Sequence, residues 1–315
     1  MKCLIVQPIH ADGLDLLAEA GIEPVLCPTA DMETVAALIG GCHAVITRDA
    51  GLSARAIDAS DVLKAIVVHG AGYDPVDKAA AARKDVLVCN TPGANARSVS
   101  ELALGLALAA ARLIPAADLA VRNGVGGFRE AHTFHELSGK TALIVGWGAT
   151  GAGLGRMLGS AFGMRVIVYS PRNPDTGPFE RVADLTDGLA IADLVSLHTP
   201  LRDETRGMFD AKAFAAMKTG AIFINTARAG LVDETALANA LAVGTVAAAG
   251  LDVYSSGAPQ GPLAGSNRVI FTPHLGGNTC EALQRVAVGA ARNVITALAG
   301  RRPATTIEWH PEHSI

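Results

Sequence analysis

Apolar runs and helically spaced apolar positions alternate along almost the whole chain. Cys3 to Val6, Ala44 to Thr47, Leu63 to Val68 (broken by Lys64) and Val86 to Cys89 are short, branched, mostly apolar runs, the pattern of strands buried on both faces. Pro24 to Leu26 is a shorter run of the same kind. Between these runs, Gly13 to Ala20, Met32 to Leu38 and Val76 to Arg83 read as helices. Alternation of this sort predicts a parallel sheet with helices on both faces.

A second block repeats the pattern. Strands are expected at Ala142 to Val145, Val166 to Tyr169, Leu194 to His198, Ala221 to Thr226, Ala247 to Val253 and Val269 to Thr272. Helices are expected after Gly151, at Ala211 to Met217, from Asp233 to about Leu241, and from Cys280 to Leu298. Between the blocks, Ser98-Val99-Ser100-Glu101 reads as a capping box, with Ser98 as the cap and Glu101 reaching back. The helix it would open, to about Arg112, is apolar all round and therefore buried.

Composition narrows the class. A length of 315 residues suits two domains, and half the residues are hydrophobic. A net charge of −4 gives no basic surface for nucleic acid. No apolar run is long enough to span a membrane; the most apolar helix, Leu102 to Ala111, carries Gly105. Cys3, Cys27, Cys42, Cys89 and Cys280 are an odd, scattered set without a C-x-x-C. With no signal peptide recognisable, reduced thiols and a cytoplasmic location are expected, and no metal site.

The chemistry begins at Gly146, Gly148 and Gly151, spaced as G-x-G-x-x-G between a strand and a helix. Gly146 permits the tight turn, Gly148 lets backbone approach a pyrophosphate, and Gly151 lets helix pack on strand. Ala149 and Thr150 fall in the first helical turn, where backbone N–H groups and the helix dipole favour an anion. An NAD site usually has a carboxylate about 20 residues on, for the ribose 2′-hydroxyl. Here the second strand is followed by Ser170, Pro171 and Arg172. A hydroxyl and a charged planar fork suit a 2′-phosphate, so NADP(H) is expected over NAD(H). The alternative is a surface loop with NAD bound.

In open α/β sheets, ligands lie beyond the carboxyl ends of strands. His198, Arg228, Asp252 and His274 stand at such ends in the second block. Together they suit hydride transfer beside a carbonyl. An Arg clamps a carboxylate, a His moves the alcohol proton, and an Asp accepts from a nicotinamide amide. His198-Thr199-Pro200, Thr226 and Gly276 are expected to join Asp252 along the cofactor groove. In the first block, His69-Gly70-Ala71-Gly72-Tyr73-Asp74 follows a strand and reads either as an anion nest or as a tight turn.

From about Lys64 to Asn293 the chain resembles the D-isomer-specific 2-hydroxyacid dehydrogenases, the family of phosphoglycerate dehydrogenase and glyoxylate/hydroxypyruvate reductase. The matching stretches are HGAGYDPVD, NTPGANARSVSE, GKTALIVGWGATG, LHTPL, MKTGAIFINTARAGLVDE, GLDV and TPHLGG. The resemblance implies a Rossmann-type doubly wound parallel sheet, residues 99–285, inserted in a smaller flavodoxin-like α/β substrate domain, residues 1–98 and 286–315. It implies that Arg228 binds substrate, that His274 is the acid/base, that Ala71 and Gly72 hold the substrate carboxylate by backbone, and that Asp252 holds the nicotinamide carboxamide. It implies a small 2-oxoacid or 2-hydroxyacid substrate and a homodimer. Residues 124–135, with Phe128, Phe134 and two His, read either as a connecting loop or as an arm towards a neighbouring subunit's site.

One departure stands out. The family carries a Glu soon after the G-L-D-V strand, which keeps the catalytic His charged. Here that slot falls on Gly257 or Ala258, and no carboxylate follows Asp252 until Glu281. The expectation is a reductase of glyoxylate- or hydroxypyruvate-like acids with a weakened proton donor. The alternative is a low-turnover NADP(H)-binding regulator or scaffold from the same family.

Overall fold

The computed structural model describes residues 1–255 and 261–308. The chain divides into two compact units, Met1–Asn95 with Gly277–Ile315, and Ala96–Gly276.

The first unit begins with β1 (Lys2–Ile5), α1 (Ala11–Glu19), β2 (Glu23–Leu26), α2 (Met32–Leu38), β3 (Ala44–Thr47), α3 (Ala54–Asp58), β4 (Ala65–Val68), α4 (Lys78–Arg83) and β5 (Leu87–Cys89). The strands form a parallel sheet in the order β2-β1-β3-β4-β5. β3 and β4 are buried at every position, which is why their sequences do not alternate.

The second unit runs α5 (Ala96–Arg112), α6 (Ile114–Arg122), α7 (Phe128–Ala131), β6 (Thr141–Val145), α8 (Ala149–Phe162), β7 (Arg165–Tyr169), β8 (Glu180–Arg181), α9 (Leu185–Ile191), β9 (Leu194–Leu197), α10 (Ala211–Ala215), β10 (Ala221–Asn225), α11 (Glu234–Val243), β11 (Val246–Leu251) and β12 (Val269–Phe271). Its described strands pair in parallel in the order β12-β11-β10-β9-β6-β7-β8. The order reverses direction at β6, the strand that carries the glycine motif, and such a switch point opens a crevice at the strands' carboxyl ends. One face of the sheet is closed by Phe209, Phe214 and Phe223, whose rings lie 5.1–5.7 Å apart. Each contributes about 1.5–3 kcal/mol by burial.

α12 (Cys280–Leu298) returns the chain to the first unit. Its small-residue face meets α1: a Cβ on Gly13 would stand 2.9 Å from Ala287. Gln284 Nε2 donates to Asp12 Oδ2 at 2.5 Å. Residues 277–285, expected with the nucleotide domain, therefore group with the first unit.

The capping box at Ser98 is a misreading. α5 begins two residues earlier, at Ala96, and Ser98 is buried within it. The Ser98 hydroxyl donates to the Gly276 carbonyl at 2.6 Å, and Glu101 accepts from Arg97 Nε at 2.9 Å instead of reaching back. α3, α6, α7 and α9 had no counterpart among the expected helices. Among the described residues, no single helix is long and apolar enough to cross a membrane.

Candidate dinucleotide and catalytic site

The glycine motif forms the turn from β6 into α8. Gly146 has φ +100°, and a Cβ there would stand 2.6 Å from the His198 carbonyl oxygen. A Cβ on Gly151 would stand 2.1 Å from the Gly146 carbonyl oxygen. Both glycines are therefore required by the protein's own packing. Gly148 differs: it is the N-cap of α8, no side chain caps it, and a Cβ there would have nothing within 4 Å. An uncapped helix start facing open space suits a pyrophosphate.

The neighbouring strand ends add polar atoms without partners. Thr226, which follows β10, is 8% exposed, and its hydroxyl is buried without a hydrogen bond. His198 shares a hydrogen bond between Nε2 and Ser196 Oγ at 2.9 Å, while its Nδ1 is buried without a partner. Burial lowers the His198 pKa to about 4, so the imidazole is neutral near pH 7. Orphaned buried groups call for a ligand or water. Together with the open Gly148, they fit a dinucleotide lying across this edge. Thr199 is partly exposed and Pro200 exposed beside it.

Beyond β7, Ser170 is 6% exposed, while Arg172 is ion-paired with Glu204. Asn173 Nδ2 donates to the Trp147 carbonyl at 2.8 Å, fastening this loop to the glycine turn.

A pocket of about 300 Å³ at the ends of β10, β11 and β12 is lined by Arg228, Ala229, Asp252, Val253, Tyr254, Pro273 and His274. The sheet thus brings Arg228, Asp252 and His274 together. Arg228 sits on a turn built by Asn225, whose Nδ2 donates to the Arg228 carbonyl at 2.9 Å and whose Oδ1 accepts from Ala227 N at 2.9 Å. Asp252 is 1% exposed. Its carboxylate accepts from the Thr272 hydroxyl at 2.6 Å and from the N–H groups of Leu275 and Gly276 at 2.7 and 2.9 Å. Its own carbonyl accepts from His274 N at 3.1 Å. These bonds hold His274 at φ +55°, a left-handed conformation that costs energy for a side chain bearing a Cβ. Gly276 spends both backbone groups inside the unit, on Asp252 and Ser98.

Sequence reading passed over Asn225, Thr272 and Glu234. The Glu234 carboxylate accepts from Ser255 N at 2.6 Å and Ser255 Oγ at 2.7 Å, fixing the chain just past Tyr254 in the pocket wall. The Asn could have been suspected from its place at a strand end; the other contacts join residues about 20 apart. Gly257 and Ala258, the slot of the missing acid, lie outside the described residues.

In the first unit, Ala71 and Gly72 occupy the loop after β4. The Thr91 hydroxyl and the Val68 carbonyl both accept from Gly70 N at 2.9 Å, and Asn90 Nδ2 donates to the Ala71 carbonyl at 2.7 Å. The loop is rigidly tied, with Ala71 itself exposed. His69 beside it is buried, which lowers its pKa to about 4, with nearby Arg48 adding to the effect.

A parallel sheet that reverses at a glycine turn defines a dinucleotide-binding α/β protein. Residues 104–276 match the D-isomer specific 2-hydroxyacid dehydrogenase, NAD binding domain. Hydroxypyruvate reductase from Thermotoga maritima is 35% identical over 297 residues, covering 93% of this chain and 96% of that protein. D-3-phosphoglycerate dehydrogenase from Mycobacterium tuberculosis is 39% identical over 275 residues, 86% of this chain; the match spans about half, 52%, of that longer protein. Among solved structures, an acyclic imino acid reductase (Bsp5) in complex with NADPH and D-Arg has a TM-score of 0.88 at 25% identity, covering 98% of this chain and 100% of that one. The chain belongs to the D-isomer specific 2-hydroxyacid dehydrogenase family.

Proposed function

We propose that this protein is an NADP(H)-preferring oxidoreductase that reduces small 2-oxoacids of the glyoxylate or hydroxypyruvate kind to D-2-hydroxyacids. The observation that carries the reading is the pocket lined by both Arg228 and His274, in the same unit as the open start of α8. The bound dinucleotide supplies the hydride. Arg228 offers its planar fork to the substrate carboxylate. His274 gives a ring proton to the carbonyl oxygen as that oxygen gains charge. Asp252 retains acceptor capacity beyond its three bonds, enough for one carboxamide N–H. Gly148, Ala149, Thr150 and Gly151 cradle the pyrophosphate, with His198, Thr199, Pro200, Thr226 and Gly276 lining the rest of the groove. Ser170 and Arg172 take the 2′-phosphate, and Arg172 exchanges its carboxylate partner for the phosphate. The relative solved with NADPH supports this cofactor, and the hydroxypyruvate reductase supports the substrate class. Two copies pair through α6, whose Ile114 and Val121, on one face, are 53% and 79% exposed.

A second reading, reduction of a 2-imino acid, is favoured by the absence of any Asp or Glu between Asp252 and Glu281. A protonated imine arrives with its proton, so hydride addition needs no donor. The test is oxidation of NADPH and NADH against a panel of 2-oxoacids, each with and without ammonium. Turnover without ammonium and with NADPH preferred supports the first reading; turnover only with ammonium supports the second.

A further inference from the structure

The order β9-β6-β7 in the sheet puts the loops after β9 and β7 on either side of the glycine turn that ends β6. Both loops are anchored. Asn173 holds the β7 loop to the Trp147 carbonyl at 2.8 Å, and the Thr205 hydroxyl holds the β9 loop by donating to the Pro200 carbonyl at 2.8 Å. The ion pair of Arg172 with Glu204 joins one loop to the other. It therefore bridges the mouth of the crevice in which the adenosine half of a dinucleotide lies in sheets of this kind. Both side chains are more than half exposed, so each is free to change partner.

We propose that Glu204 is a specificity-determining residue: its carboxylate competes with a ribose 2′-phosphate for Arg172, and so restrains the preference for NADP(H) over NAD(H). This rests on the NADP(H) reading of Ser170 and Arg172. A phosphate monoester carries about −1.5 to −2 charges and accepts both arms of a guanidinium, so it displaces a single carboxylate. The displaced Glu204 then stands as a like charge beside the phosphate. NAD(H) lacks that phosphate and leaves the ion pair in place.

The test is calorimetric titration with adenosine 2′,5′-bisphosphate and with adenosine 5′-monophosphate, which differ only in the 2′-phosphate. Exposed ion pairs are worth at most about a fivefold change in affinity. Glu204→Gln is expected to tighten the bisphosphate about two- to fivefold and to leave the monophosphate unchanged, which also shows that the variant is folded. The gain should shrink in high salt and vanish in an Arg172→Ala background. If Arg172→Ala abolishes discrimination but Glu204→Gln changes nothing, competition is overturned and the NADP(H) reading stands. If the Glu204→Gln gain survives in Arg172→Ala, Glu204 acts without Arg172 and the competition is likewise overturned. If Arg172→Ala leaves discrimination intact, the NADP(H) reading of Arg172 is overturned, and the proposal with it.

Discussion

The backbone N–H of Leu275 donates to Oδ1 of Asp252 at 2.7 Å, and this bond helps hold the preceding residue, His274, in a left-handed turn. The buried carboxylate thereby aims an imidazole into the pocket where Arg228 stands. Asp252→Asn keeps the shape but replaces one acceptor oxygen with a donor that faces N–H or O–H groups. Hydrogen bonds to a buried charge contribute about 1.5–3 kcal/mol each. The variant should lose about 2–4 kcal/mol of unfolding free energy in urea and on the order of 10²-fold in turnover. Unchanged turnover would show that the turn does not position His274.

The left-handed backbone makes the choice of substitution at His274 informative. Asn tolerates that conformation better than most residues, whereas a β-branched side chain does not. His274→Asn should keep its melting temperature and lose turnover on the order of 10²–10⁴-fold. His274→Val should lose comparable activity and also melt several degrees lower. Activity retained in His274→Asn would remove the residue from the proton step.

Two glycines of the motif, Gly151 and Gly148, should separate by cause. Gly151→Ala brings a methyl to 2.1 Å from the Gly146 carbonyl oxygen, and a clash with backbone must cost stability. Gly148→Ala meets no protein atom and its φ of −86° suits Ala, so the fold should be untouched. Its methyl would occupy the space proposed for the pyrophosphate, and dinucleotide affinity should fall at least tenfold (about 1.4 kcal/mol). Calorimetric titration beside thermal melting distinguishes the two glycines. Wild-type affinity in Gly148→Ala would move the phosphate site elsewhere.

Acid should destabilise the protein through two imidazoles that each carry a buried ring nitrogen, His69 and His198. His198 and His69 titrate near pH 4 in the native state and near 6.5 when unfolded. Both pKa values are lowered, so their contribution is complete above pH 6.5. It is lost as the pH falls towards 4, where only the unfolded state binds the protons. Each contributes up to about 3 kcal/mol over that window. Urea unfolding at pH 7, 6 and 5 should show falling stability, with a shallower fall in His198→Asn. An equally steep fall in that variant would exclude His198 as a source.

Much of this architecture is legible in the sequence because it is local. β3 and β4 are branched apolar runs bounded by turn residues, and the glycine motif stands between a strand and a helix. What escaped depends on partners far along the chain. Ser98 has the neighbours of a cap but gives its hydroxyl to Gly276, 178 residues on. Asp252 reads as a strand-end acid, and nothing near it announces acceptance from residues 20 to 24 positions later. Arg172 suggests a phosphate, yet its partner in the folded chain is Glu204, 32 residues on. α9 was missed because it buries only Gly188 and Leu189, too little to leave a period.

In the proposed reaction, hydride moves from a nicotinamide to C2 of a 2-oxoacid held by Arg228 and protonated by His274. The most direct test is a single turnover with NADPH deuterated at the transferring C4 position, glyoxylate or hydroxypyruvate as acceptor, and mass analysis of the product. Deuterium is expected at C2 of the 2-hydroxyacid, with a slowed rate relative to unlabelled NADPH and little product from His274→Asn or Arg228→Lys. Tight NADPH binding with no deuterium transferred to any 2-oxoacid would contradict it and would favour a protein that senses the dinucleotide.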